Sequence, residues 1–222
     1  MDIKVLYEDN HIIAVYKPAG VLTQADETGD LCLLEEVKKY LKNKYKKPGK
    51  VFLGLLHRLD RNVSGIILFA KTSKGASRLS EQFRNNSIKK TYHAVVLDKL
   101  KNKGTLKNYI QKDEQKRIAK IFDKENNNNQ LAILDYEVAA SNKNYSLVKI
   151  GLKTGKFHQI RAQFANIGNP VVGDIKYGAP FSLKDKSICL CATSIKFLTA
   201  VNENEKEISI DIPKEWREYI SF

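Results

Sequence analysis

One stretch of the chain, residues 57–70, predicts both a buried strand and an unusual carboxylate. It reads His57-Arg58-Leu59-Asp60-Arg61-Asn62-Val63-Ser64-Gly65, then Ile66-Ile67-Leu68-Phe69-Ala70. The apolar run is typical of a strand buried on both faces, and Asp60 lies between two arginines on the short connection that precedes it. Flanking positive charge stabilises an ionised carboxylate. We therefore predict that Asp60 is anionic at neutral pH and able to act as a nucleophile or a base.

The length and composition predict a globular protein with a sizeable core. The chain has 222 residues, of which 42% are hydrophobic and 28% are charged, which is ordinary for a globular domain. This length allows one large domain or two small ones. Because the sequence shows neither a repeat nor an interdomain linker, we predict a single domain over residues 1–222.

The charge balance points to a polyanionic partner. The formal net charge is +13, and such an excess favours nucleic acid first and an anionic membrane second. The alternative is a solvated lysine-rich surface with no partner. Only seven of the 38 basic residues are arginine, and three of these, Arg58, Arg61 and Arg161, fall inside two motifs. This concentration indicates sites that need a planar, forked donor group.

The cysteines, histidines and apolar runs predict no metal site and no membrane segment. Cysteines occur at positions 32, 189 and 191, without the spacing of a disulfide framework or a zinc knuckle. None of the four histidines has metal-ligand spacing on a helix. The longest apolar run is about six residues, against the roughly 20 needed to span a bilayer, and we expect no signal peptide. We expect a cytoplasmic protein with reduced thiols.

Short strands outnumber helices along the chain. Apolar spacing and capping residues predict three helices, over 31–45, from a capping Ser73 to Arg84, and over 157–167. Strands are predicted at 3–7, 12–16, 65–70, 90–97, 105–110, 117–122, 131–140, 145–152 and 188–198, with a turn at 102–104 and an exposed loop at 123–130. This pattern predicts an α+β fold, in which a mixed, mainly antiparallel sheet is flanked by helices.

Three segments resemble the signature motifs of the RluA family of RNA pseudouridine synthases. The first is the His57-Arg58-Leu59-Asp60 stretch with Ser64-Gly65; the second is Lys89-Lys90-Thr91-Tyr92-His93-Ala94-Val95; the third is Thr154-Gly155-Lys156-Phe157-His158-Gln159-Ile160-Arg161, continued by Gly173-Asp174 and Tyr177-Gly178. Four positions depart from the family pattern: Val63, Lys156, Phe157 and Gln163. The resemblance runs from the first strand almost to the C-terminus, so we expect a compact member without the N-terminal RNA-binding module that some relatives carry.

The resemblance implies an enzyme that isomerises specific uridines to pseudouridine in structured RNA, either tRNA or ribosomal RNA, without a cofactor. Asp60 would be the catalytic residue, attacking ribose C1′ or removing the neighbouring ribose proton. Tyr92 would stack against the uracil, and Arg161 would pair with Asp60. Arg58 would hold the opened RNA. We expect His57 and His158 to be structural donors, Asp174 and Tyr177 to shape a turn, and the protein to be a monomer.

Two other functions fit parts of the sequence. A catalytically silent RNA chaperone or assembly factor would have lost the acid, the tyrosine or the arginine, and none of these is missing. A hydrolase would use Asp60 with a second acid, and Asp174 is the only further carboxylate in the motif segments. The sequence does not indicate which uridine would be modified.

Overall fold

The computed structural model describes residues 1–222, and the chain divides into two compact units. The first unit comprises residues 1–88 and 194–210, and the second comprises residues 89–193 and 211–222. Each unit has its own antiparallel strands and at least one helix. The single domain predicted over residues 1–222 stays a prediction.

The first unit is built around a central antiparallel pair of strands. Its elements are β1 (Val5–Glu8), β2 (Ile12–Lys17), α1 (Leu33–Lys44), β3 (Gly54–Leu55), β4 (Ser64–Ala70), α2 (Ser73–Arg84) and β11 (Glu205–Ser209). Strand β2 pairs with β1 and β4, and β3 also pairs with β4. The apolar core contains Ile12 and Ile66 from these strands, with Leu79 from α2 and Ile208 from β11.

Strand β4 confirms the interpretation of the apolar run, since all seven of its residues are buried. Val63, which departs from the family pattern, is also buried, with 2% of its surface exposed. An apolar side chain therefore suits this position. Gly65 has a φ of 130°, a conformation that residues with a Cβ rarely adopt, which explains why the motif needs glycine there.

The second unit is a five-stranded antiparallel sheet with a short helix. Its elements are β5 (Lys89–Leu97), β6 (Lys103–Asp113), β7 (Ile118–Phe122), β8 (Gln130–Ser141), β9 (Tyr145–Leu152) and α3 (Gln159–Asn166). The strand order is β5-β9-β8-β6-β7, and each pairing is antiparallel. Strand β10 (Leu190–Leu198) begins in this unit and ends in the first, where it pairs with β11.

The predicted α+β fold with a mainly antiparallel sheet is confirmed, with local corrections. The cap of α2 is Thr72, whose side chain accepts a hydrogen bond from the N–H of Gly75, and not Ser73. Lys103 and Gly104 belong to β6 rather than to a turn. Strand β11 was absent from the prediction, because the alternating lysine and glutamate in its sequence hide its one buried residue, Ile208. The longest α-helices have 12 residues, and no helix is long and apolar enough to cross a membrane.

Candidate active site

The loop that carries Asp60 is fixed on both sides of this residue. Leu59 is buried and exchanges two hydrogen bonds with the buried Thr23: its N–H donates to the hydroxyl oxygen at 3.2 Å, and its carbonyl accepts from the hydroxyl at 2.8 Å. On the other side, the N–H of Val63 donates to the carbonyl of Asp60 at 3.1 Å. Asp60 itself is half-buried. The backbone that presents the carboxylate is therefore held in one conformation.

A buried lysine anchors the same loop. Lys17 ends β2 with none of its surface exposed, and its Nζ donates to the carbonyls of Val21 at 2.6 Å, Pro18 at 3.0 Å and Arg61 at 3.1 Å. An ammonium group has three protons, so these three acceptors satisfy it completely. Burial lowers the pKa of Lys17 to about 7, while the charge of Asp60 acts to raise it.

We expect Lys17→Met to lower the free energy of unfolding by about 1–3 kcal/mol, because it leaves the partly buried carbonyls of Pro18 and Val21 without the donor that Lys17 supplies. Urea unfolding of the purified protein measures this loss. The matched control is Lys74→Met on the exposed surface of α2, which should change stability by less than about 0.5 kcal/mol. Equal effects of the two substitutions would show that the three hydrogen bonds of Lys17 contribute nothing to stability.

The two arginines that flank Asp60 have different surroundings. Arg61 donates from Nε to the carbonyl of Gly20 at 3.0 Å and forms an ion pair with Asp30 through Nη1 at 2.8 Å. Arg61 is therefore part of the contacts that hold the loop. Arg58 is exposed, and its guanidinium is accessible to a polyanionic ligand.

Tyr92 lies on β5 in the second unit. It is 7% exposed and lies opposite Ile150 of β9. Tyr92 and Ala94 are both buried, while His93 between them is half-buried. The ring of His93 is hydrogen-bonded through Nδ1 to the hydroxyl of Thr193 at 2.7 Å.

The surroundings of His93 predict a pH-dependent stability. Burial, assisted by the charge of Lys149, lowers the pKa of His93 to about 4. Between about pH 6.5 and pH 4 this histidine is protonated in the unfolded chain but not in the folded protein. The free energy of unfolding therefore falls as the pH falls, by at most about 1.4 kcal/mol per pH unit. We expect His93→Gln to remove this contribution. The free energy of unfolding, measured with urea at several pH values, should therefore fall less steeply with falling pH in the variant than in the wild type across this window. Parallel pH dependences would contradict the prediction.

Arg161 lies in α3 and forms a buried bidentate ion pair. Its Nε and Nη2 donate to the two carboxylate oxygens of Asp174 at 2.6 Å and 2.8 Å. Arg161 is 5% exposed and Asp174 is 2% exposed. The ring of Tyr177 lies 4.9 Å from the guanidinium carbon. Asp174 was expected only to shape a turn, whereas its carboxylate is a principal partner of Arg161.

Gln163, where the family often has histidine, is part of a buried polar network. Its Nε2 donates to the carbonyls of Leu106 and Ala132, both at 3.2 Å, and to Oδ1 of Asn108 at 3.0 Å. Its Oε1 accepts from Gln159 at 3.1 Å. The network joins α3 to β6 and β8. This departure from the family pattern is therefore explained by packing within the second unit.

The other departures in this segment lie at the start of α3. Phe157 is half-buried and stacks on His158, with ring centroids 3.8 Å apart, and the Nζ of Lys112 lies 5.1 Å from its ring. His158 has a left-handed φ of 51° and is hydrogen-bonded to the hydroxyl of Tyr177 at 2.9 Å. In the first unit, Nε2 of His57 accepts from the N–H of Leu68 at 2.9 Å, which leaves the ring proton on Nδ1; the predicted donor role of His57 stays a prediction.

Within each unit the structure shows which residues contact the predicted site residues. In the first, Lys17 holds the loop of Asp60, and in the second, Asp174 holds Arg161. The predicted pairing of Asp60 with Arg161 stays a prediction, as do the roles of Tyr92 and Arg58. Sequence reasoning missed Lys17 and Asp174 as partners. A weak signal existed for Asp174, because Gly173-Asp174 continues the third segment that resembles the family.

Comparison with known proteins decides the family. The family model for RNA pseudouridylate synthase matches residues 11–166, which include Asp60, Tyr92 and Arg161. The chain belongs to the RNA pseudouridylate synthase family. The resemblance predicted from the three sequence motifs is therefore confirmed.

Several curated relatives of this family are similar over most of the chain. An uncharacterized RNA pseudouridine synthase of Bacillus subtilis (strain 168) is 33% identical over 83% of this chain and 61% of its own length. The ribosomal large subunit pseudouridine synthase C of Rickettsia bellii (strain RML369-C) is 35% identical over 94% of the chain and 68% of its own length. The tRNA pseudouridine synthase C of Yersinia pestis is 33% identical over 79% and 70%. The chain therefore spans between 61% and 70% of these relatives.

Solved structures of synthase-family proteins share the fold. Human RNA pseudouridylate synthase domain containing 4 matches with a TM-score of 0.80 at 22% identity, covering 96% of this chain and 90% of that protein. Human RNA pseudouridylate synthase domain containing 1 matches with a TM-score of 0.74 at 20% identity, covering 96% and 84%. At this level of identity the likeness concerns the fold alone.

Proposed function

We propose that the protein isomerises uridine to pseudouridine in structured RNA, either ribosomal RNA or tRNA, with Asp60 as the catalytic residue. Membership of the family supports the reaction, and the names of the Rickettsia bellii and Yersinia pestis relatives support these two RNA classes. The observation that carries the assignment of Asp60 is the loop itself. Hydrogen bonds involving Lys17 and Thr23 hold it rigidly and present a half-buried carboxylate.

The proposed reaction uses no cofactor, and it consumes no co-substrate because substrate and product have the same composition. The bond between ribose C1′ and uracil N1 breaks, the base turns, and a bond forms between C1′ and C5. The C5 proton leaves and N1 gains a proton, so the atoms balance. The carboxylate of Asp60 would attack C1′ or remove the neighbouring ribose proton. Both routes use the same ionised group, and both require it to be held next to the ribose.

Three further residues are proposed to act on the same substrate. The buried ring of Tyr92 would stack on the uracil, and the guanidinium of Arg161, whose own orientation is fixed by Asp174, would orient the carboxylate of Asp60. The exposed Arg58 would hold the opened RNA strand. A uridine must leave its stack to reach such residues, at a cost of a few kcal/mol that is lowest in loops and bulges.

Mapping pseudouridine across total RNA, from cells with and without the gene, tests this function. We expect one or a few sites in ribosomal RNA or tRNA to disappear with the gene and to return when the wild-type chain is supplied. Incubation of the purified protein with such an RNA should yield pseudouridine and no free uracil. Free uracil would indicate a hydrolase, and RNA binding without any change in the base would indicate an assembly factor.

A further inference from the structure

The segment Lys38–Lys50, called here the basic segment, is the most concentrated positive region of the sequence. Its 13 residues include seven lysines and no aspartate or glutamate, against a net charge of +13 for the whole chain. It covers the second half of α1 and the turn that follows. Like charges at this density repel one another, and binding of a polyanion relieves that repulsion.

Contacts within the protein neutralise only part of this charge. Lys38, Lys39 and Lys44 form ion pairs with Glu35, Glu36 and Glu8, each at 2.7 Å. The other four lysines, Lys42, Lys46, Lys47 and Lys50, are exposed and form no ion pair. A lysine in the last turn of a helix interacts favourably with the helix dipole. That effect accounts for Lys42 but not for the three lysines beyond the end of α1.

An exposed aromatic ring lies among these cations. Tyr45 is 47% exposed, and the ammonium groups of Lys71, Lys44 and Lys47 lie 4.9, 5.5 and 6.0 Å from its ring centroid. Its hydroxyl donates to Oε1 of Glu8 at 2.7 Å. The ring is therefore fixed in place although nearly half of its surface is open to solvent.

Glu8 is the anchor of this arrangement. Its side chain is 9% exposed and accepts hydrogen bonds from Lys44, Lys71 and Tyr45. Burial raises its pKa, but the three hydrogen bonds prevail and lower the pKa to about 2. Glu8 thus stays ionised at neutral pH and keeps the ring of Tyr45 pre-oriented. A rigid aromatic ring loses little conformational entropy when a ligand stacks on it.

We propose that Lys42, Lys46, Lys47 and Lys50 bind the phosphate backbone of an unpaired RNA segment, with one base stacked on Tyr45. Lysines that follow a backbone, with an aromatic ring between them, are typical of surfaces that bind single-stranded nucleic acid. The proposal rests on the proposed function, since it takes the RNA substrate as the partner. It assigns part of the binding of that substrate to the basic segment, separate from the residues that act on the uridine.

Salt-dependent binding of a short single-stranded RNA tests the lysines. We expect replacement of Lys42, Lys46, Lys47 and Lys50 together by Gln to weaken binding, and to reduce the slope of log affinity against log salt by about three, since each neutralised phosphate contributes about 0.7. The matched control replaces four exposed lysines elsewhere by Gln, which removes the same total charge: Lys124, Lys143, Lys184 and Lys214. Equal losses in the two variants would overturn the proposal.

The aromatic part has its own test. We expect Tyr45→Leu to weaken binding of the same RNA about tenfold, which is within the range for loss of one stacked base, with the salt slope unchanged. Tyr45→Phe keeps the ring and should bind within about twofold of wild type on the same stacking argument. If Tyr45→Phe binds as weakly as Tyr45→Leu, the hydroxyl and not the ring matters, and the stacking role is overturned.

Turnover separates this proposal from the proposed function. At saturating RNA the four-lysine variant should keep the wild-type kcat with a raised KM. If wild type forms pseudouridine and this variant binds RNA like the control variant, the proposed RNA binding by the basic segment is wrong and the proposed function is supported. If wild type forms no pseudouridine but the variant still loses RNA binding, the proposed function is wrong and the proposed RNA binding by the basic segment is supported. Loss of binding to vesicles with anionic lipid, with RNA binding intact, would assign the segment to membranes and overturn the proposal.

Discussion

Asp60→Asn is expected to reduce pseudouridine formation at least about 10³-fold, the scale of loss when a catalytic acid, base or nucleophile is removed. The amide has nearly the shape of the carboxylate but can neither attack C1′ nor take a proton. Because the hydrogen bonds of Lys17 and Thr23 hold the loop, the fold should persist. Single-turnover release of the C5 proton as tritium from labelled RNA measures the rate.

The control for this substitution is Asp30→Asn in the same unit. Asp30 is exposed and pairs with Arg61 near the surface, and exposed pairs of this kind contribute less than about 1 kcal/mol. The control variant should turn over at close to the wild-type rate, and both variants should bind RNA normally. If Asp60→Asn retains more than a tenth of wild-type turnover, the assignment of Asp60 as the catalytic residue is wrong.

Breaking the pair between Arg161 and Asp174 is expected to have the largest effect on stability. Either Arg161→Met or Asp174→Leu should lower the free energy of unfolding by about 3–5 kcal/mol, because the remaining buried ionic group loses its bidentate partner. The double variant should recover most of this loss, since two apolar side chains can replace a buried ion pair at little cost. Urea unfolding of the four proteins gives the interaction energy as a double-mutant cycle.

The control for the cycle is Lys153→Met. Lys153 forms an exposed pair with Asp135 at 3.1 Å in the same unit, so its replacement should cost less than about 1 kcal/mol. Additive losses in the double variant would contradict the proposed coupling. The double variant also separates stability from activity: if it is stable and active, the proposed role of Arg161 in the reaction is wrong.

The elements of the fold could be read from the sequence where one local signal dominates. The apolar run of β4 and the helical spacing of α1 each predicted an element whose ends differ from the structure by at most two residues. Prediction failed where tertiary contacts override local preference. Glycine at position 104 favours a turn, but Gly104 lies in β6 against the ring of Tyr136. A Cβ atom on residue 104 would lie only 2.8 Å from atoms of that ring.

The sequence predicted which residues belong to the candidate site, but not which residues they contact. The charges that flank Asp60 are adjacent in sequence and could be recognised there, but the ion pair of Arg61 with Asp30 could not. The partner of Arg161 lies 13 residues away, across a turn, and no local pattern encodes that pairing. Lys17 was missed for a different reason: lysine is almost never fully buried, and only the path of the backbone shows that three carbonyls converge on its ammonium group.

The ammonium group of Lys17 binds main-chain oxygens alone, and this has a consequence for how the protein tolerates change. The anchor depends on the course of the polypeptide and not on the identity of the side chains at Val21 or Arg61. Mutational drift or directed evolution can therefore alter the side chain at position 21 without removing these hydrogen bonds, whereas Arg61 also holds the loop through its own side chain. Position 17 has no such latitude, because no other residue offers three protons on a chain of that length.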